Sequence, residues 1–517
     1  MLSESVKSQE ETEKCKEKDM ENEDKYDSTH DSTLPEHKDH EWSSSLKEIA
    51  FVMVLCSAQL MTQAGLAQSI APLHIIGDSF DIDNPGQLSW FPSAFSLTVG
   101  TFILIAGRLG DLFGHKRFFV AGFLWYGLWS LLAGFSVYSN QIFFDCCRAF
   151  QGIGPAFAIP NAIAIIARTY KRGNKQNMIF SLFGACAPSG FVIGAVFSSL
   201  LSQYAWWPWA YWIMSITCVL LGIAGFLIIP HHPPIHVVDK SISVMERIDV
   251  AGSVTGVVGL VLFNFAWNQG PVVGWDTPYT YILLIVGTAF LGLFGFVESR
   301  AKQPLLPVST LTSDTFFVMG CIAAGWSSFG IWLYYTWQLM ENLRGQSPLT
   351  SSAQFVPCAI SGLCAALSTG FFLSRTSPST VMIIAMVSFT IGNILVATVP
   401  VHQSYWAQTF VSILVMPWGM DMSFPAATII LSNAMPASHQ GLAASLVNTI
   451  INYSISIGLG FAGTIESQIS VENNLLKGYR GAYYMGIGLA GLGIGVAISY
   501  SLFHNASTRR PVRETHV

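Results

Sequence analysis

Long apolar runs, each about as long as a bilayer-crossing helix, alternate with short polar segments from residue 48 onward. A helix needs about 20 apolar residues to cross the hydrocarbon core of a membrane. Fourteen stretches meet this length, so the pattern predicts an all-α polytopic membrane protein. The predicted spans, numbered 1 to 14 in chain order, are 48–72, 88–106, 117–137, 141–167, 177–201, 206–229, 250–268, 279–297, 315–340, 351–373, 379–399, 404–432, 440–465 and 481–503.

A short repeat relates the two halves of the chain. Residues 157–166 resemble residues 422–431, which places Pro160 and Pro425 at corresponding positions. The offset, 265 residues from 160 to 425, equals eight spans with their connections, so span 4 corresponds to span 12. This arithmetic predicts two six-helix bundles with two extra helices between them. We expect the extra helices, spans 7 and 8, to lie at the periphery.

Charged residues are scarce in this chain. Asp, Glu, Lys and Arg make up 11% of it, hydrophobic residues make up 51%, and the mean hydropathy is +0.47. A soluble protein carries about 25% charged residues, so soluble enzymes and nucleic-acid binders are poor candidates. The sequence contains no nucleotide-binding loop, metal-ligand cluster or nucleophile motif. We therefore expect no enzymatic activity, cofactor, metal or nucleic-acid partner.

The first 47 residues differ in composition from the rest. They hold 14 of the 31 acidic and 7 of the 26 basic residues and have no apolar core of a secretory signal. Such a composition is typical of disorder. The predicted division is a disordered acidic cytosolic tail over 1–47, an N-terminal six-helix bundle over 48–229, a loop with spans 7 and 8 and a linker over 230–314, a C-terminal six-helix bundle over 315–503, and a cytosolic tail over 504–517.

Basic residues beyond the first tail lie mostly on one side of this topology. The other side holds Arg344, Lys477 and Arg480. Because Lys and Arg concentrate in cytosolic loops, the bias predicts that both termini are cytosolic. The fifteen residues on the predicted cytosolic side are Arg108, Lys116, Arg117, Arg168, Lys171, Arg172, Lys175, Lys240, Arg247, Arg300, Lys302, Arg375, Arg509, Arg510 and Arg513.

The connection between spans 2 and 3 combines glycines with charges. It reads Gly107-Arg-Leu-Gly-Asp111-Leu-Phe-Gly114-His-Lys116-Arg117. We expect Gly107 and Gly114 to permit a tight reversal between two helices. Asp111 supplies a fixed negative charge near a helix end, and Lys116 and Arg117 hold the connection at the cytosolic side.

An arginine interrupts the apolar residues of span 4, in the run Arg148-Ala-Phe-Gln151-Gly-Ile-Gly. A charge inside a membrane helix is costly and marks a candidate functional site. Asp145 lies three residues earlier on the same helical face and can neutralise Arg148. We expect Arg148 to bind an anionic group or to exchange partners with Asp145. The alternative is a static pair that holds the bundle together.

Span 5 carries small residues at a spacing of four, with a proline among them: Gly184, Pro188, Gly190 and Gly194. Small residues at this spacing allow close contact between helices, and a proline bends its helix. The pattern predicts a close helix contact, with generic packing as the alternative to a functional motif.

Span 12 contains an acidic residue, Asp421. A carboxyl group in an apolar span can act in a proton relay; the alternative is a neutral carboxyl bonded to a helix carbonyl. Asn448 and Asn452 in span 13 are one turn apart and are expected to face it. Asp145 and Asp421 are the acids that we place inside predicted spans. Four tryptophans are candidates for an aromatic cation site, with core packing and interface belts as the alternatives: Trp326, Trp332, Trp337 and Trp418.

These motifs together resemble a known family. The segment from Gly107 to Arg117 resembles the major facilitator signature, and the run from Arg148 resembles a second motif of that superfamily. The pattern in span 5 resembles the antiporter motif of exporters. With its fourteen spans the chain resembles drug:proton antiporter family 2 over residues 45–505. Runs at 56–66, 263–271 and 418–425 resemble the fungal subgroup of low-affinity ammonium transporters and aminotriazole- and boron-resistance exporters, and the ammonium transporters most closely.

The resemblance implies a mechanism of alternating access. The two bundles would rock about a central site, and Asp111 would dock near His439 at the start of span 13 as a gate. The chain departs from the family signature at two positions, because Leu112 and His115 stand where the family usually has arginine.

A further departure lies in span 1. Family 2 members often have Asp and Asn where this chain has Gln63 and Gln68. A glutamine can form hydrogen bonds with a substrate but cannot titrate. The substitution argues against proton coupling through span 1.

Three functions stay open on the sequence. The first is low-affinity transport of ammonium or another small cation, linked to protons. The second is proton-driven export of drugs or borate, which the pattern in span 5 suggests. The third is a nutrient sensor that no longer transports. We expect a monomer in the lipid bilayer of the plasma membrane, with the vacuolar membrane as the alternative, and a small molecule or ion together with protons as its partners.

Overall fold

The computed structural model describes residues 44–508 except 83, 172, 232–242, 308–311, 435–439 and 470–473. Within these ranges the chain forms helices and no β-strand. Fourteen helices are long and apolar enough to cross a membrane, which confirms the predicted all-α class and the number of spans. They are α1 (Ser45–Ile70), α2 (Trp90–Phe113), α3 (His115–Phe135), α4 (Gln141–Thr169), α5 (Asn174–Tyr204), α6 (Pro208–Ile228), α7 (Val250–Val273), α8 (Pro278–Arg300), α9 (Ser313–Gln338), α10 (Pro348–Arg375), α11 (Pro378–Thr398), α12 (Gln408–Ala434), α13 (Gln440–Ile469) and α14 (Leu475–Thr508).

The helices form where backbone polar groups must be satisfied without water, because a helix pairs all of its interior N–H and C=O groups within one segment. Four of them begin with a proline in the first turn, where a missing N–H costs nothing: Pro208, Pro278, Pro348 and Pro378. Short helices lie at Leu73–Asp78 and Pro85–Leu88, between α1 and α2, and at Val244–Ile248, before α7.

Two predicted boundaries differ from the structure in an informative way. Helix α2 continues to Phe113, seven residues beyond the predicted end of span 2. Helix α14 runs to Thr508 and takes in part of the predicted C-terminal tail. Apolar residues show where a helix crosses the membrane. The helix itself can continue past them, because polar residues at the membrane surface also form helical backbone hydrogen bonds. The predicted tail residues 1–43 and 509–517 lie outside the described residues.

Each set of six helices packs into its own bundle. In the first, α1 packs on α5, and α4 packs on both α2 and α3, with α6 against α3. In the second, α9 packs on α13 and α14, and α12 packs on α10 and α11. The pairing is repeated between the two halves, as the offset between Pro160 and Pro425 predicts.

The two bundles meet along two helix pairs, α2 with α13 and α5 with α10. The first pair is close: a Cβ atom at Gly100 would lie 2.6 Å from the backbone nitrogen of Tyr453. In the second pair the hydroxyl oxygens of Ser199 and Ser352 are 2.8 Å apart. Movement of one bundle against the other must therefore rearrange these two seams.

The extra helices α7 and α8 differ in their burial. Helix α8 packs on α7 and lies at the periphery, as predicted. Helix α7 does not, because it also packs against α2 and α13 at the seam between the bundles. Asn264 and Asn268 are fully buried there. The Asn268 amide donates to the Ser456 carbonyl of α13 at 3.2 Å, and the Ser456 hydroxyl donates to the Ser93 carbonyl of α2 at 3.0 Å.

The molecule has two faces, which we name by the described ends of the chain. An even number of crossings puts both ends on one face, the terminal face. At this face Arg108 of α2 donates to Gln303, and Lys175 of α5 pairs with Glu48 of α1 at 2.6 Å. The opposite face holds the connection between α1 and α2 together with the ends of α9 and α13 and the start of α14.

Candidate functional site

The charged residues of the segment from Gly107 to Arg117 lie at the terminal face, where α2 ends and α3 begins. One carboxylate oxygen of Asp111 is 3.2 Å from an Arg168 nitrogen and 3.3 Å from His115 Nε2. The other ring nitrogen of His115 is 2.7 Å from the Asn161 side-chain oxygen. The Asn161 amide nitrogen donates to the carbonyls of Ala106 and Phe157, so its oxygen is the acceptor. His115, at the start of α3, therefore lies between Asp111 of α2 and Asn161 of α4.

The glycines of this segment act differently from the prediction. Gly107 lies inside α2 and not in a reversal, so the prediction of a turn at this position was wrong. The connection between α2 and α3 is Gly114 alone, whose φ of +103° favours glycine. A Cβ atom at Gly107 would lie 3.6 Å from the Ser445 hydroxyl of α13. This end of α2 thus lies against the second bundle, close to Asp111.

The basic residues of the segment have separate roles. The Lys116 ammonium donates to the Ile229 carbonyl at the end of α6, at 2.6 Å, and fastens α3 to that helix. Arg117 is exposed. The predicted dock for Asp111, His439, lies outside the described residues, so the docking contact stays a prediction.

Arg148 of α4 is fully buried, and all three nitrogens of its guanidinium group donate hydrogen bonds. Its Nε donates to the Phe91 carbonyl at 2.9 Å, and one terminal nitrogen donates to the Gly65 carbonyl at 2.8 Å and to the Ser69 hydroxyl at 3.0 Å. The other terminal nitrogen donates to Gln151, whose amide donates in turn to the Ser130 hydroxyl. The guanidinium group thereby ties α1 and α2 to α4.

The expected ion pair between Asp145 and Arg148 is not formed in the described part of the chain. Spacing along one helix placed the two residues on one face, but the Arg148 donors are taken by carbonyls of α1 and α2. The Phe95 ring also lies against the guanidinium group, 4.6 Å from centroid to carbon. Asp145 remains half-buried near the start of α4, where one of its oxygens has no hydrogen-bond partner among the described residues.

The small residues of α5 pack it onto α1. A Cβ atom at Gly194 would lie 2.5 Å from the Ala64 Cα atom, and one at Gly190 would meet the Leu60 backbone. A Cβ atom at Gly184, by contrast, would have nothing within 4 Å of it among the described residues. The predicted close contact exists at two of the three glycines.

Pro188, the proline of the same motif, lies against the second bundle, close to Asp421. A Cβ atom at Gly362 of α10 would lie 2.9 Å from Pro188 and 2.8 Å from a carboxylate oxygen of Asp421 in α12. That oxygen is buried and has no hydrogen-bond partner in the described residues. The structure therefore brings Pro188 and Asp421 together at the seam between the bundles, with Gly362 providing the space.

The remaining predicted polar residues are spread over α1 and α13. Gln63 is half-buried, whereas Gln68 is buried and both polar atoms of its amide lack a hydrogen-bond partner within the described ranges. Asn448 and Asn452 donate to helix carbonyls four residues before them, at 3.0 and 2.9 Å. Of these four residues, Gln68 is the one whose amide is buried without a hydrogen-bond partner among the described residues.

The tryptophans of α9 belong to the core of the second bundle. Trp326 and Trp332 donate their indole N–H groups to Ser423 and Ser412 of α12, at 3.1 and 2.8 Å. Trp337 is fully buried. Trp418 is partly buried against the same core. Core packing, the alternative to an aromatic cation site, therefore describes them.

Sequence reasoning missed three acids: Glu298, Glu341 and Glu466. The predicted spans end at 297, 340 and 465, so each of these acids is the residue directly after a span end and was assigned to a connection. The helices continue through these positions and lie within the fourteen candidate spans. Glu298 and Glu466 are buried, with 4% and 5% of their surface exposed. A search for acids within one turn of each predicted span end would have found all three.

Two packed bundles that repeat the same helix pairing, with buried polar groups at the seams between them, are an arrangement typical of membrane transporters. The sequence matches the model of the Major Facilitator Superfamily over residues 53–321 and 315–516, and the chain belongs to this family. It is therefore a multi-pass membrane transporter of small-molecule substrates and not an enzyme.

Within this family, the chain is similar to transporters of two kinds. The chain is 72% identical to the low affinity ammonium transporter of Saccharomyces cerevisiae, over 90% of each chain. It is 52% identical to the efflux pump terJ of Aspergillus terreus, over 88% of each chain. Both fungal resemblances that the sequence suggested, to ammonium transporters and to efflux proteins, are confirmed.

The fold also matches a solved structure. The POT family transporter PepTSo superimposes with a TM-score of 0.64 over 91% of this chain and 99% of its own, at 14% identity. At this identity the match concerns the fold alone. It confirms the predicted major facilitator fold.

Proposed function

We propose that the protein is a low-affinity transporter of ammonium or a similar small cation. The observation that carries this proposal is the 72% identity to the low affinity ammonium transporter of Saccharomyces cerevisiae along 90% of both chains. A likeness of this extent covers both bundles, both seams and every motif that the sequence analysis identified.

The transport cycle would be alternating access. The α2–α13 and α5–α10 seams would open in turn as the bundles rock about a central site. The Asp111 cluster lies at the terminal end of α2, beside α13, where the seam must separate when that face opens. Asp111 would hold the face closed by pairing across the seam and release it by returning to Arg168 and His115.

Proton linkage would run through Asp421 and not through α1. Helix α1 offers Gln63 and Gln68, which do not titrate. Asp421 carries a buried oxygen without a hydrogen-bond partner in the described part of the chain, and it lies at a seam that changes during the cycle. A carboxyl group in that position can bind a proton in one state and lose it in the other.

An efflux function is the second candidate, and two observations favour it. The chain is 52% identical to the efflux pump terJ of Aspergillus terreus. Pro188 of the antiporter motif, moreover, lies at the Gly362 and Asp421 contact between the bundles. A proton antiporter would use this same contact to couple export of a drug or borate to proton entry.

We place the protein in the plasma membrane as a monomer, with the terminal face towards the cytosol. The bias of basic residues supports this orientation. Arg300 and Arg375 are the last residues of α8 and α10 at the terminal face, and Arg168 and Arg108 lie near the ends of α4 and α2 at the same face. We propose the same division of the chain into tails, two bundles and a linker that the sequence predicts.

Growth of fungal cells separates the two candidates. We expect the chain, expressed in a strain that lacks its own ammonium transporters, to restore growth on limiting ammonium. The reason is that uptake of the cation would then limit the nitrogen supply. Survival in aminotriazole and in borate, measured in the same strain, tests export. Restored growth without added resistance supports uptake; resistance without restored growth would replace it with efflux.

A further inference from the structure

A cavity of about 320 Å³ opens at the opposite face. It lies between the connection of α1 to α2 in the first bundle and helices α9, α13 and α14 of the second. We call it the vestibule. Because a water molecule takes up about 30 Å³ in the liquid, the vestibule has room for a small solute with several waters.

Glu466 of α13 is the most unusual group in its wall. The residue is 5% exposed, and one carboxyl oxygen accepts a hydrogen bond from the Tyr335 hydroxyl at 2.7 Å. The second oxygen is buried and has no hydrogen-bond partner among the described residues. A buried polar atom without a partner costs free energy. A ligand that donates a hydrogen bond from the vestibule would remove this cost.

A second hydrogen-bond acceptor in the wall of the vestibule is the Nδ1 atom of His74, as the hydrogen bonds of its neighbours show. The Asn342 amide donates to the Gln338 side-chain oxygen at 3.0 Å and to the Tyr479 hydroxyl at 2.9 Å. The same Gln338 oxygen is 2.7 Å from His74 Nε2, so that ring nitrogen must be the donor. Burial lowers the pKa of the His74 imidazole, so the ring is neutral at neutral pH. Its Nδ1 atom is then left as an acceptor.

The charge of the vestibule is negative. Asp78 adds an exposed carboxylate at the rim, and no Lys or Arg is among the described residues that line the cavity. The rings of Tyr334 and Tyr479 complete the wall. Carboxyl oxygens, a neutral imidazole and aromatic rings without a basic neighbour suit a cation that donates hydrogen bonds.

We propose that the vestibule is a loading site for a small monovalent cation of the ammonium type. Glu466 accepts a hydrogen bond from the cation, and His74 and Asp78 hold it or its waters at the rim. The identity of the cation rests on the proposed function, whereas the site itself rests on the geometry of the vestibule. Since His74 belongs to the first bundle and Gln338 to the second, the bound cation lies where both bundles contact it.

Binding to the purified full-length chain tests the site without transport. The melting temperature is followed as ammonium chloride replaces sodium chloride at constant ionic strength. We expect ammonium to stabilise the wild type. Glu466→Gln should need at least about tenfold more ammonium for the same stabilisation, because it loses a charge-assisted hydrogen bond to the cation. Glutamine keeps an oxygen for the Tyr335 hydroxyl. Asp276→Asn is the matched control, since Asp276 is an exposed acid between α7 and α8 on the same face.

A second variant guards against a folding defect. Asp78→Asn changes an exposed residue and is expected to raise the half-saturating ammonium concentration about two- to fivefold, as loss of an exposed charge contact does. Equal ammonium dependence in the wild type, Glu466→Gln and Asp78→Asn would overturn the vestibule proposal. So would the absence of any ammonium-specific stabilisation in the wild type.

Uptake assays separate this proposal from the proposed function. We expect Glu466→Gln to raise the half-saturating concentration for ammonium uptake about tenfold while Asp276→Asn leaves it unchanged. Ammonium binding that depends on Glu466 in a chain that carries no ammonium would keep the vestibule and reject the function. Wild-type uptake with an unchanged half-saturating concentration in Glu466→Gln would keep the function and reject the vestibule.

Discussion

The guanidinium group of Arg148 is buried inside the first bundle, and its hydrogen-bond acceptors are neutral groups. Its donors go to the carbonyls of Phe91 and Gly65 and to the side chains of Ser69 and Gln151. The planar guanidinium fork suits several acceptors at once. Arg148 therefore positions α1 and α2 on α4 in this state of the protein.

Replacing the fork by a point charge tests this role. We expect Arg148→Lys to lower the free energy of unfolding by about 2–4 kcal/mol, because one ammonium group cannot reach all of these acceptors. Transport should fall at least tenfold. Thermal unfolding and uptake measure the two effects. Arg117→Lys, a change at an exposed arginine, is the matched control and should alter neither. Normal stability and uptake in Arg148→Lys would show that only the positive charge at this position matters and would reject the positioning role.

Single residues could be predicted from the sequence where the membrane makes them costly. Arg148 and Asp421 were identified because a charge inside an apolar span needs a reason. The partners of Arg148 could not be identified, since Phe91 and Gly65 contribute backbone carbonyls, which any residue has. Glu466 was missed because a window of apolar residues ends before a carboxylate that the folded protein buries.

At the scale of helices, the junction of α2 and α3 shows how a few residues set a contact. Helix α2 continues through Asp111 to Phe113, and Gly114 alone turns the chain. This geometry puts Asp111 between Arg168 and His115 while leaving its side chain 48% exposed. The carboxylate is thus held within the first bundle but open to a new partner.

Neutralising this carboxylate should stop the cycle without preventing folding. We expect Asp111→Asn to abolish ammonium uptake while its amount at the cell surface stays normal, because a neutral amide carries no charge to form the ion pair with Arg168. Glu246→Gln is the matched control, since Glu246 and Lys302 form a surface ion pair at the same face, 3.1 Å apart. Such surface pairs contribute little. Normal uptake by Asp111→Asn would reject the gate.

Helix α7 shows what periodicity and spacing do not reveal. Helices α7 and α8 are both long and apolar enough to cross a membrane, and both were expected at the periphery. Its buried face carries Asn264 and Asn268, which bond to Ser456 of α13. Asparagines in an apolar span signal a buried partner, and this signal was available in the sequence.

At the scale of the whole molecule, the fold was predictable because the bilayer restricts the alternatives. Span lengths, the offset between Pro160 and Pro425 and the bias of basic residues all led to two bundles with two extra helices. The seams, the vestibule and the contact between Pro188 and Asp421 depend on how helices far apart in sequence face one another. A single sequence does not contain that information.

The central claim is that the chain moves a small cation of the ammonium type across a membrane. Initial uptake of labelled methylammonium into liposomes that contain only the purified protein tests it most directly. We expect saturable uptake that an imposed proton gradient changes in the wild type. In Asp421→Asn, uptake should no longer respond to the gradient. Wild-type uptake no faster than that of protein-free liposomes, with and without the gradient, would contradict the claim.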